Sequence, residues 1–157
     1  MDTQEFLSLE SDISTQLAVI DNVFVDIEDR TQGFDISDTR HVESVAYQIH
    51  NAYSATEELL RLIANYFENQ IGDAPRWHSA LLRRMTQPVP GVRPALLTKE
   101  AFLLLDTLRG FRHFFRHAYA STIDPTLLQA NLQVARQAHS LLHRDISDFL
   151  DQLRPAK

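Results

Sequence analysis

The apolar residues of this chain recur at helical spacing almost throughout, and this constrains the fold more than any other feature. Between residues 3 and 30, Phe6, Leu9, Ile13, Leu17, Ile20, Phe24 and Ile27 follow at steps of three and four. That spacing lines one side of a helix and gives it a stripe to bury. Asp2 and Glu5 stand at capping-box spacing before the stripe, and Thr31 to Phe34, with Gly33, supplies the stop. A second helix is predicted from Ser37 or Asp38 to Asn69. Its core stripe runs Val42, Val45, Ala46, Ile49, Ala52, Tyr53, Thr56, Leu59, Leu60, Ile63, Tyr66 and Phe67. At about 1.5 Å per residue it spans close to 48 Å, roughly.

Gly72 to Pro75 breaks the pattern, and Arg76 to Met85 reads as a short helix with Trp77, Leu81, Leu82 and Met85 apolar. The segment QPVPGVRPA, residues 87–95, is an ordered proline turn rather than a linker. Thr98 is the expected N-cap of a fourth helix, with Glu100 in its first turn, running to about Ala120. Asp124 followed by Pro125 opens a fifth, running to about Leu153. Strand alternation, internal repeats and low-complexity tracts are absent from the sequence. The expected fold class is all-α, a bundle of four main helices plus one short one, with residues 1–157 as a single domain.

The chain has no cysteine among its 157 residues. This excludes disulfide scaffolds, thiolate nucleophiles, iron–sulfur clusters and cysteine zinc sites. No apolar run approaches the roughly 18 residues of a membrane span, and the first residues lack a signal-peptide pattern, so a soluble cytoplasmic protein is expected. The net charge of −6 is unevenly spread. Residues 1–72 hold 14 acids and 3 arginines, net −11, and residues 73–157 hold 7 acids and 12 bases, net +5. Such a chain binds nucleic acid, if at all, through a focused patch in its second half; the alternative is two solvated faces of opposite sign.

The segment that carries chemistry is RGFRHFFRHAY, Arg109 to Tyr119. At about 100° per residue, Arg109, Arg112, His113, Arg116 and His117 share one arc of roughly 140°. Phe111, Phe114, Phe115 and Ala118 fill the opposite side, and Tyr119 lies two turns beyond Arg112 on the same edge. No acid interrupts residues 110–121. Arginine grips phosphate oxygens through a planar fork, and histidine gives and takes a proton near neutral pH. Together they meet the needs of metal-free RNA cleavage: proton transfer, and stabilisation of a charged phosphorane-like transition state. The structural alternative is that this stripe pairs with the acidic first half, at Glu57 and Glu58.

The run Arg112-His113-Phe114-Phe115-Arg116-His117-Ala118-Tyr119 has the pattern R-x4-H-x-Y. In this it resembles the HEPN-fold ribonucleases, specifically the HepT toxins of HepT/MntA toxin–antitoxin pairs; WHSALLRRM and QPVPGVRPAL are similar to a HepT-like subgroup. The resemblance implies a HEPN-like up-and-down bundle and a homodimer with a composite cleft. It implies Arg112 as phosphate binder and His117 as general acid/base, acting without metal or cofactor on RNA, with tRNA favoured, to leave a cyclic phosphate. It also implies Tyr119 as the residue to which an MntA-like nucleotidyltransferase antitoxin transfers AMP, setting an anion beside Arg112. Arg109, His113 and Arg116 have no place in the signature and are candidate RNA contacts.

Two other function classes compete. His113/His117 and His139/His143 are both i, i+4 pairs, and four histidines converging between two helices would bind zinc or another divalent ion; no metal site is expected. A non-catalytic helical interaction or nucleotide-binding module would use the same basic face, but it has no need of a titratable group beside Arg112. No phosphate-binding glycine loop, serine triad spacing or DNA-reading helix–turn–helix is present, so neither DNA nor membrane is expected as a partner. His78 reads as a packing or capping residue, His41 and His50 as solvated, and Trp77, Phe114 and Phe115 as core.

Overall fold

A computed structural model describes residues 1–68, 77–117 and 122–155. Five helices follow in chain order: α1 Thr3–Thr31, α2 Thr39–Glu68, α3 Trp77–Met85, α4 Lys99–His117 and α5 Pro125–Leu153. The expected extensions to Asn69, back to Arg76 and on to Ala120 lie outside the described residues. α1 begins with a complete capping box, in which Asp2 and Glu5 each accept the other's backbone N–H. It stops at Gly33, whose φ of +64° suits a residue without Cβ. Asp124 caps α5 by accepting from the Thr126 N–H at 2.9 Å, with Pro125 in the first turn.

Cross-helix partners fix the topology. Arg30 meets Ser44, Gln16 the Ala55 carbonyl and Tyr66 the Glu5 carbonyl, so α1 and α2 are antiparallel. Arg112 meets Ser54 and Phe115 meets His50, so α4 runs against α2. Phe149 meets Phe67, and Ala135, Ala138 and Leu142 line a small cavity with Ala52 and Thr56, so α5 runs with α2. The bundle is therefore up-and-down, with α2 touching each of the other helices. Its predicted stripe through Ile63 is buried, whereas Tyr66 is exposed and Phe67 half-buried near the helix end. Leu17 on α1 is likewise only half-buried, where Gln16 reaches across to α2.

Phe114 departs from expectation. It is 39% exposed, while Phe111 is buried and Phe115 half-buried against the core. At about 100° per residue Phe114 lies a further 60° or so from Phe111, past the face that α2 and α5 cover. It joins Leu103, Thr107 and Gly110 in an exposed row along α4.

The proline segment is ordered, as its composition predicts. Pro90 and Gly91 occupy the centre of a turn closed by Val92 N–H to the Val89 carbonyl at 2.9 Å, and Gly91 has φ +74°. Proline then glycine is the pairing that a type II turn demands. The turn folds Arg93 inward, where its buried guanidinium donates to Glu68, to the carbonyls of Gln87 and Pro94, and to that of Arg84. Thr98 caps α4 by accepting from the Ala101 N–H, and it is itself held by buried Asp145 of α5, which accepts from the Thr98 N–H and hydroxyl at 2.8 Å each.

The charge asymmetry is partly internal. Carboxylates of α1 face bases of α5 in three rungs: Glu10 with Arg154, Asp21 with His143 and His139, and Glu28 with Arg136. No helix among the described residues is long and apolar enough to cross a membrane.

Candidate active site

The site grows from two facing helix surfaces. On α2, His50, Tyr53, Ser54 and Glu57 recur at steps of three and four and form a polar row beside the buried stripe. On α4, Arg112 and Phe115 lie opposite. Arg112 Nε donates to Ser54 Oγ at 3.2 Å, and its guanidinium carbon lies 6.0 Å from the centre of the Tyr53 ring. Among the described residues, no hydrogen bond or ion pair engages its two terminal nitrogens. Ser54 and Tyr53 thus orient the guanidinium and leave its outer fork to accept a phosphate.

The base of the site is a chain of two buried groups and one half-buried histidine. The Tyr53 hydroxyl donates to Glu57 Oε2 at 3.2 Å, and His78 Nδ1 of α3 approaches the same oxygen at 2.6 Å. Burial, and then the Glu57 charge, push the Tyr53 phenol far above its ordinary value, so it stays a neutral donor. His78 is accordingly a hydrogen-bonding partner held by Glu57, more than the packing or capping residue its sequence context predicts. Trp77 is half-buried against the core, with the Arg61 guanidinium 5.3 Å from its ring. Glu57 is committed to Tyr53 and His78, and Glu58 to Arg61 at 3.1 Å. The cationic stripe of α4 is not neutralised by either, contrary to the structural alternative.

His117 ends α4 and is exposed. Its Nδ1 lies 2.8 Å from the His113 carbonyl oxygen. A carbonyl can only accept, so Nδ1 carries the hydrogen, and in the neutral ring Nε2 carries the lone pair. The His113 ring stands 4.4 Å from that of His117 and tilted by 33°. Arg116 is exposed and has no hydrogen bond or ion pair among the described residues. Arg109 is different: it pairs with Asp106 at 2.8 Å, which cancels much of its charge. Tyr119 lies outside the described residues. Arg112 and His117 are five residues apart, about 7.5 Å in rise and 140° in rotation. Arg112 leans onto α2, while His117 stands in the last described turn of α4.

Sequence reasoning missed Ser54, read Tyr53 only as core, and misplaced His50. His50 is half-buried, not solvated; its ring centre lies 5.4 Å from that of Phe115, and its Nε2 is buried without a partner among the described residues. Burial, together with the charges of Arg112 and Arg116, lowers its pKa and keeps the ring neutral. The signal available in the sequence was its place in the row with Tyr53, Ser54 and Glu57. The four histidines considered for metal binding do not converge. His139 and His143 instead meet Asp21 of α1, and among the described residues neither His113 nor His117 joins that group.

No curated protein and no solved structure matches the chain. A family model described as HepT-like protein matches residues 44–153, from early α2 to the end of α5, and so takes in Arg112, His117 and the polar row of α2. The chain belongs to the HepT-like family.

Proposed function

We propose that this HepT-like protein is a metal-independent endoribonuclease, the toxin of a HepT/MntA-type pair, working as a homodimer on RNA such as tRNA. The observation that carries the reading is the pairing of an Arg112 fork, oriented by Ser54 and Tyr53 and unpaired at its outer nitrogens, with a His117 ring whose Nε2 carries a lone pair. Arg112 holds the scissile phosphate. The Nε2 of one His117 takes the proton of the RNA 2′-hydroxyl as that oxygen bonds to phosphorus. The bond from phosphorus to the 5′-oxygen breaks, and a protonated His117 returns a proton to the leaving oxygen. A 2′,3′-cyclic phosphate and a 5′-hydroxyl result.

A homodimer supplies both histidines, and it explains why Arg112 and His117 diverge on one helix. The exposed row Leu103, Thr107, Gly110 and Phe114 on the same helix supports α4 as part of the interface. Arg116 and His113 extend the phosphate-facing surface, with Arg109 contributing less because of Asp106. AMP transfer by an MntA-like nucleotidyltransferase to Tyr119 inactivates the enzyme by adding a phosphodiester anion two residues after His117 in the sequence.

The test is incubation of total RNA with the protein in excess EDTA, beside the Arg112→Ala, His117→Ala double variant. Cleavage by the wild type alone, with cyclic-phosphate ends, is expected. Equal cleavage by the folded double variant overturns the assignment. Cleavage restored only by added metal overturns metal independence. For the antitoxin, Tyr119→Phe is expected to cleave RNA yet escape AMP transfer; inactivation with AMP on another residue, read by mass spectrometry, rejects Tyr119 as the switch.

A further inference from the structure

Away from the α2–α4 site, we propose that Asp21, His139 and His143 form a binding site for a first-row divalent metal ion of the zinc class, clasping α1 to α5. His139 and His143 are one helical turn apart on α5, a spacing that points two imidazoles to one side. Their Nε2 atoms lie 2.6 and 2.7 Å from the same Asp21 oxygen, and the three candidate ligand atoms fall within 4.8 Å of one another. Two neutral imidazoles and a carboxylate give a singly negative nitrogen–oxygen set. That set suits zinc and its neighbours, whereas magnesium and calcium prefer oxygen alone.

The ligands are held in advance. The His139 ring is stacked on Phe24 at 4.0 Å with an interplanar angle of 6°, and Phe24 is one turn from Asp21 on α1. The His143 ring stands edge-on to His139 at 4.9 Å. His139 is anchored in the half-buried seam, while Asp21 and His143 side chains are each 43% exposed, so an ion can enter and keep a water on its fourth position. Ligands about 2.0–2.1 Å from a tetrahedral ion sit about 3.3 Å apart. Asp21 therefore withdraws by roughly 0.6 Å to admit it, a small rotation for an exposed carboxylate. On binding, each imidazole presents the Nε2 lone pair and carries its proton on Nδ1.

The consequence is a staple. Apart from the polar rungs, α1 packs chiefly on α2, so an ion shared with α5 closes the bundle on its open side. The experiment uses the whole protein, stripped with EDTA and titrated with zinc chloride by calorimetry, with melting followed in parallel. One ion per chain is expected, with a melting temperature raised by about 5–10 °C at a hundredfold excess over Kd. Asp21→Asn and His143→Gln, both at exposed positions, are expected to weaken binding at least about ten-fold, the lower end of what loss of even an outer-shell partner costs. The pair His113→Ala, His117→Ala removes the other i, i+4 histidines and is expected to retain binding. In the unmodified protein the imidazole nitrogen resonances of His139 and His143 should shift on zinc addition. Absent binding, binding unchanged in Asp21→Asn and His143→Gln, or binding lost with His113 and His117 instead, overturns the site. None of these readouts involves RNA cleavage, so the site and the ribonuclease stand or fall separately.

Discussion

At Arg93 a whole guanidinium leaves water, and the chain accommodates it with one carboxylate and three carbonyls. Glu68, whose side chain is only 6% exposed, binds both Arg93 and Arg84. Removing one partner of a buried pair strands the other charge, so Glu68→Ala is expected to destabilise the fold by about 3 kcal/mol, the low end for such pairs because the carbonyls remain. Urea denaturation checks this. Burial raises the Glu68 pKa, but the hydrogen bonds from Arg84 and Arg93 outweigh it, and the net shift is below the ordinary 4.5. A depressed folded-state pKa contributes stability above the unfolded value and loses it as pH falls through the folded one. Thermal stability should therefore drop below pH 4.5 in the wild type, and less steeply in Glu68→Ala. None of this was legible from residue spacing. Arg93, His50 and Asp21 each take their meaning from a partner on another element, and helical periodicity reports only which side of its own helix a residue occupies. The placement of Arg112 and His117 together on α4 was legible because both lie within one helix.

Helices were read more completely than side-chain partners because their signals are local. The caps at Asp2 and Asp124 and the stop at Gly33 are satisfied within a few residues, so the sequence alone places them. Thr98 was legible as a cap but Asp145 behind it was not, since 47 residues separate them. Thr98→Ala is expected to cost about 1–2 kcal/mol, with Asp145 Oδ2 left holding only the backbone N–H while Oδ1 keeps Arg144. Chemical denaturation of the variant measures it. The exposed row of α4 carries the element-scale prediction for assembly. Phe114→Asp removes no core packing, so the variant should keep its circular dichroism, become monomeric by light scattering and lose RNA cleavage. A cleaving monomer would falsify the composite cleft.

For the molecule as a whole, the proposed ribonuclease should take RNA at the end of α4, where neither the terminal nitrogens of Arg112 nor Arg116 have a partner among the described residues, and not on the acid-rich remainder. Two neutralised phosphates on a single strand predict that raising salt from about 50 to about 200 mM weakens binding about seven-fold, and about three-fold in Arg116→Ala. Filter binding with the His117→Ala variant, which on the proposed mechanism should hold RNA without cutting it, reads both slopes. Part of the asymmetry is absorbed between α1 and α5, in the three rungs. Glu10, Asp21 and Glu28 stand 11 and 7 residues apart, and Arg154, His143 and Arg136 repeat the same two intervals in the opposite direction. Both intervals are close to whole numbers of helical turns. The two helices therefore read each other like the scales of a vernier. Every mark aligns at one setting, and a slip of a single residue swings all three carboxylates out of line at once, by about 100°. The buried apolar stripe of α1 swings by the same angle, so the rungs and the core agree on a single seat for the first helix.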